Sequence, residues 1–368
     1  MFQLEWRNPV YFFQWWNRKH VVVSALGLWI WGCSAIAAPA PIRGLHVVTK
    51  AVPLEKVKHW IDQAAEAQFN TLILGVGWGG STKLNSMPWV TEDTAWSREQ
   101  LLEVVNYARG KSLEVIPNLP LLTHQSQFLG NSHPELLYNS ETYDPRNPKV
   151  YELVLAVLEE VINLLHPSAI HIGHDELYGS AERPKNWKTG EALLPAEWFL
   201  RDVHRIHDYL AQRGVETWMW GDMLIAPEEF PEMNRVFLLG GVPGYGATLR
   251  RQLPKDIVIC DWHYDEKLDG FDLAAPVESL SRLWKREGAP KTPEFRTIEA
   301  FRQDGFRVVG ATFEKEATTR AFSAYAARHG ASGMMATVWF DIWKDPSIVD
   351  QIIETSGDAF VGDFPDGP

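Results

Sequence analysis

The sequence predicts an α/β fold, a (β/α)8 barrel of the TIM type. Between residues 42 and 356, eight short apolar runs alternate with segments that have helical periodicity. The runs are apolar on both alternating faces, which is typical of parallel strands that are covered on both sides. A doubly wound open sheet shows the same alternation and is the main alternative fold.

Turn and capping residues mark the boundaries of the elements. One helix begins after Ser97, where Gln100 three residues later completes a capping box. Another begins with Asn147 and Pro148 and then repeats apolar residues at helical spacing. A third covers 197–214 and ends in glycine. We place the strands at 43–49, 70–77, 113–120, 168–176, 215–224, 256–264, 306–312 and 333–341.

The first 40 residues have the composition of a targeting segment. Basic residues precede an uncharged apolar stretch over 21–37, and its last three residues, Ala35 to Ala37, fit a small-x-small cleavage site. Cys33 partly fits a bacterial lipoprotein signal, and the stretch up to residue 42 is nearly long enough to span a membrane uncleaved. We therefore expect export, which would make the protein periplasmic, secreted or membrane-anchored.

Sequence composition indicates the domain boundaries and the classes of partner to expect. We expect a signal peptide or a membrane or lipid anchor over 1–40, one barrel domain over 41–356 and a tail over 357–368. The net charge of -12, without a basic block, argues against a nucleic-acid partner. Seventeen tryptophans suit a pocket that stacks aromatic faces on sugar rings. With only Cys33 and Cys260 present, we expect no disulfide in the barrel.

The segment "GVGWGG", residues 75–80, formally matches a dinucleotide-binding pattern after a strand. Such a site also needs a helix that begins there and presents its amides to a pyrophosphate. The following residues have no helical period and include Pro88. We therefore interpret the segment as a barrel loop, and we expect no cofactor.

The segment "SAIHIGHDELYG", residues 168–179, carries the strongest chemical signal. Asp175 and Glu176 follow the fourth predicted strand, and catalytic groups of TIM barrels lie at the carboxyl ends of the strands. Neighbouring acids can have separated pKa values, one kept ionised by hydrogen bonds and one raised by an apolar wall. That separation suits acid-catalysed glycoside cleavage. The alternative is a solvated pair of acids at a strand end.

A metal site in the same segment is less favoured. Along a pleated strand, His171 and Asp175 share one face, while His174 and Glu176 share the other. One strand therefore supplies at most two convergent ligands, and the spacing matches no strong metal signature. Further ligands would have to come from His263 or Asp222. We expect no metal.

The motif "HIGHDE" resembles the H-x-G-G-D-E motif of glycoside hydrolase family 20, the β-N-acetylhexosaminidases, with His174 in place of the second glycine. "IRGLHV" and "IPNLPLLTH" resemble the first-strand and third-strand segments of that family, and "WFD" resembles its terminal W-x-E. The resemblance implies a (β/α)8 exo-glycosidase that releases terminal β-linked N-acetylhexosamine by a retaining, substrate-assisted mechanism. It also implies Glu176 as the general acid and Asp175 as the group that orients the acetamide. Sugar-binding residues implied by the resemblance are Arg43, His124, Trp220, Trp262, Tyr264, Trp339 and Asp341.

Several positions depart from the family pattern. Asn118 and Pro120 replace acids, and Phe313 stands where a tyrosine is expected, so that Tyr264 is the candidate for that hydroxyl. These departures leave a non-catalytic sugar-binding barrel open as an alternative. A second alternative, based on the His, Asp and Glu residues of the fourth strand, is a metal-dependent TIM-barrel hydrolase.

Overall fold

The computed structural model contains a closed barrel of eight parallel strands in chain order, with β8 paired to β1. This confirms the (β/α)8 prediction and excludes the open sheet. Within the described ranges, an α-helix follows each strand along the chain and precedes the next strand. The strands are β1 (Ile42–Val47), β2 (Thr71–Gly75), β3 (Glu114–Leu121), β4 (Ala169–Gly173), β5 (Glu216–Trp220), β6 (Val258–Trp262), β7 (Arg307–Thr312) and β8 (Gly333–Val338).

The structure describes residues 40–130, 132–177, 194–225, 229–230, 244–264, 295–339 and 345–361, without the side chains of Gln127 and Pro346. The expected leader, apart from Ala40, lies outside these residues, as does the end of the expected tail. The candidate sugar-binding residue Asp341 lies outside them as well. No helix within the described ranges is long and apolar enough to cross a membrane.

The helices begin where the capping residues predict. The Ser97 side chain accepts the Gln100 N–H while the Gln100 side chain accepts the Ser97 N–H, so the predicted capping box is formed. Asn147 caps the helix that begins at Pro148. The described α-helices are α1 (Leu54–Glu66), α2 (Arg98–Gly110), α3 (Pro148–Leu165), α4 (Ala196–Ala211), α5 (Tyr245–Gln252), α6 (Thr297–Gln303), α7 (Glu316–Arg328) and α8 (Pro346–Ala359).

Two apolar layers explain why the strands are apolar on both faces. The outer layer packs the helices against the barrel; in α1, for example, Trp60 and Ile61 are fully buried. The inner layer fills the barrel with side chains, as TIM barrels require. It includes Ile73, Ile116, Trp218, Val258, Val309 and Met335.

The fourth strand ends earlier than its sequence predicts, at Gly173 instead of residue 176. Gly173 and His174 both have left-handed backbone angles, with φ of 77° and 70°, and Glu176 does too, with φ of 46°. A Cβ at Gly173 would meet the Leu119 carbonyl oxygen at 3.1 Å. These angles take the chain out of the sheet, so the face assignment by strand alternation does not extend to Asp175 and Glu176.

Candidate active site

The carboxyl ends of β3 and β4 bring two carboxylates and one imidazole together. His124 Nε2 lies 3.1 Å from Asp175 Oδ2 and 3.8 Å from Glu176 Oε2. Asp175 is buried, while about a quarter of the Glu176 side chain is exposed, at 28%. The structure therefore places His124 against both acids, where its protonated form can interact with either.

The two acids have opposite pKa shifts. Burial, reinforced by the negative charge of Asp175, raises the pKa of Glu176 to about 7. Burial also acts to raise the pKa of Asp175, but the charge and hydrogen bond of His124 outweigh it and hold that pKa below its usual value. Burial lowers the pKa of His124, yet the neighbouring carboxylates, Asp175 first, raise it to about 9. At neutral pH the geometry therefore gives an ionised Asp175, a protonated His124 and a Glu176 that is about half protonated.

A third carboxyl group, that of Asp222, lies against the pair from the end of β5. The backbone N–H of Glu176 donates to Asp222 Oδ2 at 2.9 Å. Asp222 is buried, and its other oxygen, Oδ1, has no hydrogen-bond partner within the described part of the chain. Burial and the negative charge of Asp175 raise the pKa of Asp222 well above its usual range.

Aromatic side chains from β5, β6 and β8 are grouped beside the acids. The Trp220 and Trp339 rings lie 5.7 Å apart, and the Trp262 and Tyr264 rings 4.9 Å apart. The buried Trp220 N–H has no partner among the described residues. The Tyr264 hydroxyl lies near Thr337 and Trp339, but among the described residues it has no partner at hydrogen-bond geometry. Buried polar atoms of this kind are available to a bound ligand.

A neutral polar layer lies inside the barrel below these aromatic rings. Asn118 Oδ1 accepts from Trp78 Nε1 at 2.7 Å and contacts His46 Nε2 at 3.2 Å. Its Nδ2 donates to His171 Nδ1 at 2.9 Å. Since an amide oxygen only accepts, the contact places the His46 proton on Nε2.

Burial keeps both histidines of this layer uncharged. It lowers the pKa of His46 to about 4 and that of His171 to about 3. Sequence reasoning missed Trp78 and His46 as site residues. The available signal for His46 was a polar residue in the interior of an apolar strand, as Asn118 also is.

A buried anchor holds the loop that carries the acids. His174 contacts Asp202 Oδ2 of α4 through Nε2 at 2.8 Å and donates from Nδ1 to the Ile172 carbonyl oxygen at 3.0 Å. Asp202 also accepts the hydroxyls of Tyr143 and Tyr151, at 2.9 and 2.7 Å. The histidine that departs from the H-x-G-G-D-E motif thus ties the end of β4 to α3 and α4.

Arg43 does not lie with the acids, and the expectation that it binds sugar is wrong. It is the second residue of β1, at the amino end of the barrel. Its guanidinium donates to the carbonyl oxygens of Ala67 and Gly357, at 2.9 and 2.8 Å. The arginine therefore closes the barrel at the end opposite to the candidate site.

The segments considered above for dinucleotide binding and for metal binding make other contacts in the structure. "GVGWGG" forms a loop with a short 3₁₀ turn at Trp78–Gly80, and no α-helix begins there, so it is not a dinucleotide site. His263, the possible metal ligand, contacts Thr297, the rings of Phe295 and Phe322, and Asp261, whose Oδ2 lies 3.5 Å from its Nε2. Among the described residues, no group of three or more His, Cys, Asp or Glu side chains is placed to hold a metal ion.

Residues 43–267, more than half of the chain, match the glycosyl hydrolase family 20 catalytic domain. The chain belongs to glycosyl hydrolase family 20. The family 20 match includes β1 to β6, the acids and His124, but not the last two strands with Trp339.

Curated relatives are similar over part of their length. A beta-hexosaminidase of Emericella nidulans is 24% identical over 48% of this chain and 33% of its own length. A beta-hexosaminidase of Vibrio furnissii is 29% identical over 34% of this chain and 26% of its own. The chain thus spans a third or less of the length of these relatives.

Solved structures show the same fold at low identity. The Flavobacterium johnsoniae chitobiase superposes with a TM-score of 0.61 at 14% identity, over 90% of this chain and 50% of that one. Dispersin B superposes with a TM-score of 0.57 at 16% identity, over 88% of this chain and 100% of that one. The likeness covers about nine-tenths of this chain, more than the family match does.

Because Glu176 binds its proton more tightly in the folded state, its ionisation should destabilise the fold. Its pKa rises from 4.5 to about 7 on folding. The proton on Glu176 contributes fully to the free energy of unfolding below about pH 4.5. This contribution, on the order of 3 kcal/mol, is lost as the pH rises through about 7. Glu176→Gln removes the ionisation. The variant should therefore gain thermal stability relative to the wild type at pH 8 and gain less at pH 5, as measured by melting temperature.

Glu354→Gln is the matched control, because Glu354 is exposed on α8. Its melting temperature relative to the wild type should be the same at the two pH values. An equal gain for Glu176→Gln at pH 5 and pH 8 would contradict the buried, proton-retaining state of Glu176.

Proposed function

We propose that the protein is an exo-glycosidase that hydrolyses terminal β-linked N-acetylhexosamine with retention of configuration. The observation that carries the proposal is the pair of adjacent acids at the end of β4, within a family 20 domain, with opposite pKa shifts. One protonated and one ionised carboxyl group are what a retaining glycosidase needs at working pH. The beta-hexosaminidase names of the curated relatives support the choice of sugar.

In the proposed first step, Glu176 gives its proton to the leaving glycosidic oxygen. The acetamido oxygen of the substrate attacks the anomeric carbon from the other side, so the substrate replaces the enzyme nucleophile. Asp175 accepts the acetamide N–H and stabilises the positive oxazolinium ring that forms. In the second step the ionised Glu176 takes a proton from water as the water oxygen bonds to the anomeric carbon. The ring bond between that carbon and the acetamido oxygen breaks, which restores the acetamide and leaves Glu176 protonated. Each step uses the protonation state that the geometry favours.

His124 is inferred to serve the acids directly, and this replaces the expectation that it binds sugar. Its positive charge beside Asp175 keeps that carboxylate ionised, as its acetamide role requires. The same charge, at 3.8 Å, limits the rise of the Glu176 pKa. Glu176 can therefore both release and recover a proton near neutral pH.

The aromatic group is inferred to enclose the acetamide and the sugar ring. Trp220, Trp262 and Trp339 offer flat apolar faces, and the Tyr264 hydroxyl is free to bind the acetamido oxygen. Since Arg43 lies at the other end of the barrel, peripheral hydroxyls need other partners. Asp341 remains our candidate for that role.

Two variants test the division of labour between the acids. Glu176→Gln should abolish turnover of N-acetylglucosaminyl disaccharides but retain much more activity on activated aryl glycosides, which leave with little protonation. Asp175→Asn should slow both substrate types similarly, because it weakens oxazolinium formation in each. General acid catalysis is typically worth about 10²–10⁴-fold, so the contrast in kcat/KM is measurable.

The same assay separates the alternatives. A sugar-binding barrel would bind N-acetylglucosamine without releasing the aryl alcohol from any aryl N-acetyl-β-hexosaminide. Equal losses on both substrates for Glu176→Gln, or normal rates for either variant, would mean that these acids are not the catalytic pair. Full activity in a chelator would exclude a metal-dependent hydrolase.

Trp339 is proposed to form the floor of the sugar subsite. It is only partly buried, and its ring lies 4.7 Å from His46 and 6.1 Å from Trp78. Trp339→Ala should lower kcat/KM about tenfold or more through lost ring contact, with little change in melting temperature. Trp60→Ala, at a fully buried tryptophan of α1, should instead cost about 3–5 kcal/mol of stability. A collapse of the fold in the Trp339 variant would refute the subsite assignment.

We also propose that the protein is exported, on the basis of the apolar segment over 21–37 and the cleavage site that ends at Ala37. Expressed with its own leader in a bacterial host, the chain should leave the cytoplasm. Mass spectrometry of the product should show an N-terminus at Ala38, a lipid on Cys33 or a membrane-bound uncleaved chain. Recovery of the full-length chain from the cytoplasm would contradict export.

A further inference from the structure

Asp222 places a third carboxyl group against the Asp175–Glu176 pair, and neither step described above uses it. It follows β5 directly, in a short 3₁₀ turn, and only 2% of its surface is exposed. Its Oδ2 accepts the backbone N–H of Glu176 at 2.9 Å. The side chain of Trp262, from β6, contacts the same carboxyl group.

The backbone of Glu176 needs this support. Its φ of 46° lies in the left-handed region, which residues other than glycine rarely adopt. The N–H group of a residue in that conformation has no partner in the sheet, because β4 already ends at Gly173. The contact with Asp222 satisfies the N–H and fixes the direction in which the Glu176 side chain leaves the backbone.

The charges around Asp222 decide its protonation state. Among the described residues, the ionisable groups that act on it are Asp175 and Glu176 from the end of β4. His124, from the end of β3, lies within 4 Å of both of those acids. One imidazolium cannot balance three neighbouring carboxylates, and His124 already pairs with Asp175. A proton therefore remains on one of the other carboxyl groups, and burial and the Asp175 charge both favour its retention on Asp222. Because Oδ2 accepts the Glu176 N–H, that proton belongs on Oδ1, which no described group occupies.

We propose that Asp222 is a positioning residue that works as a neutral carboxylic acid, holding the left-handed backbone of Glu176 through Oδ2 without adding a charge to the site. If Asp222 is neutral, the charges that set the pKa of Glu176 are those of Asp175 and His124. An ionised carboxylate at the same place would raise the pKa of Glu176 further and so hinder release of its proton. The role in catalysis rests on the proposed glycosidase function, whereas the protonation state does not.

The matched variants are Asp222→Asn and Asp222→Ala, compared through the pH dependence of kcat/KM on an aryl N-acetyl-β-hexosaminide. Asparagine keeps the accepting oxygen and the neutral state. It should retain kcat/KM within about threefold and leave the alkaline limb of the profile in place. Alanine removes the acceptor and should lower kcat/KM about tenfold or more, with thermal melts used to confirm that the variant is folded.

A shift of the alkaline limb to lower pH by about one unit in Asp222→Asn would overturn the proposal, since that is the effect of removing a negative charge next to Glu176. Wild-type kcat/KM in a folded Asp222→Ala would overturn the positioning role.

Carboxyl-carbon NMR of protein labelled with ¹³C-aspartate tests the neutral state without any turnover. The Asp222 signal is identified by its absence in Asp222→Asn. It should report a protonated carboxyl group at pH 7, and titration in the ordinary aspartate range, near pH 4, would overturn the proposal. A protonated Asp222 in a protein that cleaves no glycoside would instead refute the proposed function and leave the protonation state established.

Discussion

The contact between His124 and Asp175 sets the charge of the other ionisable groups in the candidate site. It joins the end of β3 to the loop after β4 at 3.1 Å, and it keeps one carboxylate ionised in a buried position. Burial, reinforced by the resulting negative charge, raises the pKa values of Glu176 and Asp222. The adjacent acids Asp175 and Glu176 thus have pKa values shifted in opposite directions.

Three features hold that contact in place. The barrel fixes the ends of β3 and β4 relative to each other, since Leu121 pairs with Gly173 at the last position of both strands. Left-handed backbone angles at Gly173 and His174 then turn the acids out of the sheet. The neutral layer around Asn118 fills the barrel below the site without introducing charge. The electrostatics of the site therefore depend on backbone geometry as much as on side chains.

The fold was predictable from sequence because its main determinant is local. Strands that are apolar on both faces, and helices with capping residues such as Ser97 and Asn147, identify an alternating β/α fold without long-range information. The number of units, eight, favoured a barrel over the open sheet, and only the pairing of β8 with β1 decides between the two. The acids and His124 were also predictable, since they follow strands whose ends must meet at one edge.

Other parts of the site depend on details that hydropathy does not report. The early end of β4 follows from backbone angles at Gly173 and His174, and an apolar run looks the same with or without them. Arg43 was misplaced because a short matching segment says nothing about which end of a strand a residue occupies. Counting from the start of β1 would have placed it at the amino end. The contacts of His46 with Asn118 required the register of three strands.

The anchor formed by His174 and Asp202 has a consequence for substitutions at either position. A chain with glycine at 174 and Asp202 retained would bury a carboxylate with only tyrosine donors, whereas a chain with His174 and no Asp202 would keep a strained imidazole without its acceptor. Neither single change gives a satisfied interior, so the two positions must be exchanged together with their tyrosine partners. In this chain the effects of substitutions at 174 and 202 on stability are therefore coupled, so that the cost of changing one residue depends on which residue stands at the other position.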